Sequence, residues 1–292
     1  MNSHIDMLQY VILCAVGAQL SSCAGGAGTG TINDDTLSAA VDSVKIEHSS
    51  QLNPLHAILI DAYPDYFLDS HLSNDTLFLS DGTSLVFDDR RQKDFVQLLD
   101  EGDVEDMFAM EYARNGKPGY LMDAGRSRCE PMFKMMYGKN ESEVRKNLVK
   151  VNWFGQSLLF NKNNGAADSL RQVMAEIGRH PELNKYTKSA GTFYWRPVRG
   201  AKRLSAHSYG IAIDLSISNS NYWLWDHPKA SETDSIPYRN RMPLEMVEIF
   251  ERHGFIWGGR WYHYDTMHFE FRPEILIRHK QYQTQRPVAL GE

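Results

Sequence analysis

Ser205-Ala206-His207-Ser208-Tyr209-Gly210-Ile211-Ala212-Ile213-Asp214-Leu215 is the stretch on which the fold turns. In an extended strand successive side chains face opposite ways. Ile211, Ile213 and Leu215 then share one apolar face, and Ala212 and Asp214 share the other. Asp214 is thereby a carboxylate presented beside a side chain too small to cover it. Gly210 permits a tight turn ahead of the strand, which brings His207 back toward the same face.

A second stretch, Tyr264-Asp265-Thr266-Met267-His268-Phe269-Glu270-Phe271, repeats the pattern. Met267, Phe269 and Phe271 form its apolar face, while Thr266, His268 and Glu270 point the other way. Two such strands laid side by side bring His207, Asp214 and His268 together. Two imidazoles and a carboxylate are a common catalytic zinc set, with a fourth position left for water whose pKa falls to about 7. Alternation alone puts Asp265 on the face opposite His268. It reaches that water as a general base only if the chain bends just before the strand, and His263 is the fallback base. Taken singly these residues carry little. A histidine among the 11 of this chain is more often a surface or satisfied core group than a ligand. Asp214 alone fits a strand-end cap, and Glu270 a solvated partner for Arg272. Their joint placement on matched faces reverses that balance.

The order S-x-H-x-x-G-x-A-x-D followed by D-x-x-H-F-E resembles the zinc peptidases of the D-alanyl-D-alanine carboxypeptidase and L-alanyl-D-glutamate endopeptidase family. That family is structurally related to the vancomycin-resistance D,D-dipeptidases and the hedgehog signalling domain. The resemblance covers roughly residues 191–273. It implies Zn2+ held by His207, Asp214 and His268, with Asp265 as general base and acid. Aspartate at that position resembles the endopeptidase branch, since the carboxypeptidase and dipeptidase branches usually carry glutamate. An upstream arginine that holds the substrate carbonyl or oxyanion matches Arg196 better than Arg199, and either fits a surface charge too. Ser205 resembles a substrate-contacting residue, or is a turn serine. The implied activity is hydrolysis of peptidoglycan stem peptides, L-alanyl-D-glutamate endopeptidase type. The alternatives are a D-alanyl-D-alanine carboxypeptidase and a non-catalytic zinc-bearing wall-binding protein, with a lipoprotein scaffold as a third.

Outward from these strands the chain mixes helices and strands without regular βαβ alternation. The expected class is α+β, a small antiparallel sheet carrying the ligands with helices flanking it. The residues 166–178 place Leu170, Val173, Met174 and Ile177 at amphipathic-helix spacing. A helix is expected from near Pro243 to Gly254. Helix-like spacing also marks 95–99, 104–112 and 141–151, before a strand over 157–161. In DTLFLSDGTSLVFDD (75–89) Asp81-Gly82 predicts a hairpin with a type I′ turn. The segment DAGRSRCEPMFKMMYG (123–138), with Arg126 and Arg128 beside Met and Phe, is expected to serve packing.

The bulk properties agree with a folded protein of mixed surface: 42% hydrophobic and 23% charged residues. A net charge of -6 gives no general attraction to nucleic acid. The apolar run MLQYVILCAVGAQL (7–20) is too short to span a bilayer, which needs roughly 20 residues. It has the length of a signal-peptide core, and Leu20-Ser21-Ser22-Cys23 looks like a lipobox, although the n-region lacks Lys and Arg. An exported protein follows, periplasmic or held at the outer membrane by a lipid on Cys23, its contact with membrane limited to that anchor. Cys129 is then alone, which leaves no intramolecular disulfide. The expected organisation is a leader over 1–22, a flexible tether over 23–54, an α+β region of unknown role over 55–150 and the peptidase domain over 151–292.

Overall fold

The computed structural model describes residues 52–285, with side chains up to 281. The leader, Cys23 and nearly all of the tether lie outside the described residues. Three antiparallel sheets are present. The first joins β1 (His71–Ser73), β2 (Thr76–Phe78) and β3 (Ser84–Val86); the second is a hairpin of β4 (Leu148–Trp153) and β5 (Gln156–Asn161). The third, which carries the ligand strands, runs β6 (Ser189–Gly191), β7 (Ala212–Leu215), β9 (His268–Phe271), β8 (Phe255–Trp257) in spatial order. Around them lie α1 (Pro54–Ala62), α2 (Pro64–Phe67), α3 (Phe95–Asp100), α4 (Glu130–Tyr137), α5 (Glu141–Asn147), α6 (Ala166–Ile177), α7 (Trp223–Asp226), α8 (Leu244–Arg252) and α9 (Pro273–Gln285). The class is α+β, as the mixed pattern predicts.

The register of β7 against β9 sets the site. Asp214 lies directly opposite His268, Ile213 opposite Phe269 and Ala212 opposite Glu270. Opposed residues share a face, so the carboxylate and the imidazole meet on one side. Ile213, Leu215 and Phe269 are wholly buried on the other. There Phe250 of α8 stacks on Phe269 with ring centroids 4.0 Å apart, and each such burial contributes roughly 1.5–3 kcal/mol. Gly210 has φ +68°, and a Cβ there would lie 2.5 Å from Leu148 Cδ2. The tight turn expected at this glycine is therefore also a place where the β4 hairpin packs close.

Elsewhere the pattern holds for long periodic segments and shifts for short ones. Helix α6 fills the expected span, and α8 starts one residue after Pro243, which sits at its N-cap. Asn53 caps α1 by accepting from the Leu55 and His56 N–H groups. The helix expected over 141–151 stops at Asn147. From Leu148 the chain pairs with β5 through six residues, and the turn between them, Phe154-Gly155, has positive φ at both positions. Over 104–112 only a 3-10 turn, Glu105–Phe108, forms.

The hairpin of β2 and β3 forms around Asp81-Gly82, but only Gly82 has positive φ. The Gly82 N–H donates to the Leu79 carbonyl and the Leu79 N–H to that of Thr83, a three-residue loop with glycine in the left-handed position. A turn with both central residues at positive φ occurs one hairpin earlier, at Asn74-Asp75 (φ 46° and 60°), between β1 and β2. Nearby, the Lys93 ammonium is almost fully buried between Asp89 (2.9 Å), Asp103 (3.2 Å) and Asp106 (2.5 Å).

The expected division near residue 150 is not a break in packing. The described residues from Leu52 onward cluster as one compact unit. Its principal hydrophobic cluster runs from Ile58 and Leu59 through Met132 and Phe160 to Phe269 and Leu276. Buried polar contacts cross the same line: Tyr63 Oη donates to Glu274 at 2.5 Å, and Trp261 Nε1 to the Ala124 carbonyl at 2.7 Å. Among the described residues no helix is long and apolar enough to cross a membrane.

Candidate metal centre

Each of the three expected ligands comes from a different local structure. His207 sits in a 3-10 turn, Ala206–Tyr209, whose N-cap is Ser205 and whose C-cap is Gly210. Asp214 comes from β7 and His268 from β9. Their donor atoms lie within 4.8 Å of one another. Asp214 Oδ2 is 3.2 Å from His207 Nε2, and its Oδ1 is 3.0 Å from His268 Nδ1. Donors about 2.0–2.2 Å from one ion lie roughly 3–4 Å from each other, so the residues fit a tetrahedral cation.

The far nitrogen of each imidazole is already engaged. His207 Nδ1 lies 2.5 Å from the Thr192 carbonyl. A carbonyl only accepts, so Nδ1 carries the proton and Nε2 turns its lone pair toward Asp214. His268 Nε2 lies 3.3 Å from Glu270 Oε2, an arrangement that orients a ligating imidazole and raises its basicity. Burial works against charge on His268, but the carboxylates of Asp214 and Glu270 outweigh it and push its pKa up to about 10. A cation in the triad competes with that proton. Burial raises Asp214 and Glu270 too, yet both are held low. His207 and then His268 lower Asp214, while Arg128, His268 and Arg272 hold Glu270 at about 2.

Asp265 stands just ahead of β9. The His268 N–H donates to the Asp265 carbonyl at 3.2 Å, closing a turn across Thr266-Met267. The chain therefore bends where alternation requires it to, and Asp265 lines the same cleft as the triad. Its Oδ1 is buried with no hydrogen-bond partner. Burial first, and the charge of Asp214 second, push its pKa up to about 7. His263 also borders the cleft, but both ring nitrogens face acceptors: Asp123 Oδ2 at 2.5 Å and the Glu232 carbonyl at 2.9 Å. Both nitrogens are engaged within the fold, so neither is free to meet a water.

The cleft holds about 440 Å³ and is also bordered by Ser205, Arg196 and Arg199. Ser205 is buried, and its Oγ accepts from the His207 N–H at 3.4 Å, as a turn serine does. Arg196 is half-buried and runs beside the Tyr194 ring. Glu270, for which a solvated pairing with Arg272 is the bland alternative, is wholly buried, as is Arg272 at 3.1 Å. Alternation had placed it on the His268 face; burial of that face was the missing information.

Sequence reasoning also missed the contribution of the segment expected only to pack. Arg126 and Arg128 border the cleft. Arg126 reaches Asp123 at 2.5 Å and Glu232 at 3.0 Å, and Arg128 lies 3.5 Å from Glu270 while donating to the Leu204 carbonyl at 2.9 Å. Two arginines within three residues were the signal. Tyr222, Trp223 and Trp225 complete the wall, with no periodicity to announce them.

A comparison with curated proteins finds no match. Residues 199–271, about a quarter of the chain, match a family model. That span holds all three triad residues, Asp265 and Glu270, and leaves out Arg196 and the 123–128 segment. The model is that of the D-alanyl-D-alanine carboxypeptidase family, so the segment that carries the candidate metal site is similar to a family of peptidases.

Proposed function

We propose that this protein is a zinc-dependent peptidase that hydrolyses peptidoglycan stem peptides at the L-alanyl-D-glutamate bond. The observation that carries the reading is the buried, unpartnered Oδ1 of Asp265 in the wall of the cleft that holds His207, Asp214 and His268. Buried structural carboxylate oxygens find partners; an oxygen left without one at such a place is poised to take a proton.

Zinc held by the triad would supply Lewis-acid polarisation of the scissile carbonyl and acidification of water. Asp265 accepts the proton of the attacking water and then donates it to the departing amine. Arg196, with Arg199 as second choice, meets the charge that develops on the carbonyl oxygen. Ser205 holds the turn of His207 and borders the substrate. Glu270 and the Thr192 carbonyl keep the two imidazoles turned toward the centre. Stem peptides lie outside the inner membrane, which fits an exported protein; the leader and a lipid on Cys23 belong to that same reading.

The family description favours a second reading, a D-alanyl-D-alanine carboxypeptidase. Mass spectrometry of products from defined muropeptides separates them: free D-alanine marks the carboxypeptidase, and release of the peptide beginning at D-glutamate marks the endopeptidase. Metal content tests the common ground. About one zinc per chain is expected, with far less in His268→Ala; a parent chain that neither holds nor takes up zinc would sink the peptidase reading.

Glu270→Gln tests the orienting carboxylate. Zinc affinity is expected to fall about 10–100-fold, measured by titration against a colorimetric zinc indicator. An unchanged affinity would reduce Glu270 to a partner of Arg128 and Arg272.

A further inference from the structure

Trp225 is 55% exposed, yet it borders the cleft that holds the triad. It does not stand out because its segment is loose. The Trp225 N–H donates to the Tyr222 carbonyl at 2.9 Å, and the Trp223 N–H to that of Tyr264 at 2.9 Å. Asp226 is held by Tyr264 Oη at 2.8 Å and by Asn221 Nδ2 at 3.1 Å. Trp223 turns inward, 4.7 Å from the His263 ring, while Tyr222 meets Trp225 edge-to-face at 5.6 Å. The indole is thus a rigid aromatic surface open to solvent at the mouth of a binding cleft. Large aromatics so placed are a mark of contact surfaces.

We propose that Trp225, backed by Tyr222 and flanked by Arg199, is a platform for a saccharide ring of the glycan that carries the scissile peptide. The inference rests on reading the cleft as that of a stem-peptide hydrolase. The alanine and D-glutamate on either side of the scissile bond offer nothing large and apolar to cover an indole. A pyranose does: its ring C–H bonds are weakly positive and meet the negative face of the aromatic ring. Arg199 is exposed and borders the same cleft, so it can meet an acetamido or carboxylate oxygen of the sugar. Under the endopeptidase reading the sugar stays close to the scissile bond. One residue spans at most about 3.6 Å, so the sugar lies about one residue from an L-alanyl-D-glutamate bond. It lies about four residues, roughly 14 Å, from a terminal D-alanyl-D-alanine bond.

The test uses two measurements. In the first, wild type and Trp225→Ala cleave the free stem peptide and the same peptide on its N-acetylmuramyl disaccharide. Wild type is expected to favour the sugar-linked substrate at least tenfold in kcat/KM, with the ratio falling to about one in Trp225→Ala and largely kept in Trp225→Tyr. A wild-type ratio near one, or a ratio unmoved by Trp225→Ala, overturns the proposal. In the second, the peptide-free disaccharide is titrated into Asp265→Ala and into Asp265→Ala/Trp225→Ala, with tryptophan fluorescence and calorimetry as readouts. Binding by the first protein that weakens tenfold or more in the second supports the platform; no binding by the first overturns it. Sugar binding without cleavage of either peptide would sink the proposed hydrolysis and leave the platform standing.

Discussion

Asp265→Asn is expected to lower kcat/KM for stem-peptide cleavage by about 10²–10⁴-fold, the usual contribution of a general base, while zinc content stays at the parent level. The substitution keeps the side-chain shape and removes only the ability to hold the proton. It is a clean change because Asp265 Oδ1 has no partner to lose, and Asp265 is not one of the three ligands. The pH profile provides a second reading. Burial and Asp214 push the carboxyl up to about 7, and a divalent cation in the triad opposes them by favouring the carboxylate. Asp265 works deprotonated, so activity is lost as pH falls through its pKa. The acid limb of kcat/KM is therefore expected between the ordinary carboxylate range and pH 7. Steady-state kinetics from pH 4 to 8 would show it. An Asp265→Asn protein that cleaves at the parent rate would remove this residue from the chemistry and leave the proton transfer to another group of the cleft.

Arg272→Met is expected to cost about 3–5 kcal/mol of stability, because it breaks a buried charge network by removing one member. Arg272 is wholly buried. Its guanidinium donates to Glu274 at 2.5 Å, to the Gly125 carbonyl at 2.6 Å and to Glu270 at 3.1 Å, and it lies over the Phe133 ring. Without it, Glu270 keeps Arg128 at 3.5 Å and His268, but Glu274 keeps only Tyr63 as a hydrogen-bond partner among the described contacts. Urea titration followed by tryptophan fluorescence measures the loss. Adding Glu274→Gln to Arg272→Met should recover part of it, since the second change removes the stranded charge. A single variant within 1 kcal/mol of the parent would mean that water reaches this network and that its members are far less desolvated than the structure shows.

The two ligand strands were legible because period-two alternation and a glycine turn are local properties. Asp214 and His268 follow from facing strands, and the antiparallel register does the rest. What lay beyond reach depended on contacts across the fold. Residues 148–151 read as the end of a helix; they form a strand because residues 156–161 lie beside them. Arg126 and Arg128 carry no sign of a distant cleft; they reach it because the 123–138 segment packs against the loop before β9. Glu270 was seen on the correct face, but whether that face meets water or a buried arginine is decided by α9 and the 123–128 segment together. The family resemblance supplied the roles of Arg196 and Ser205, and for these the structure offers proximity to the cleft without a distinguishing contact.

The buried ammonium of Lys93 has a consequence for how this protein answers a chelating agent. Loops gathered around several aspartates often owe their shape to calcium, and withdrawing the ion lets them open. Here one counter-charge is covalently part of the chain, so Asp89, Asp103 and Asp106 keep the Lys93 ammonium between them whatever the medium contains. A chelating agent would leave that ion pairing in place.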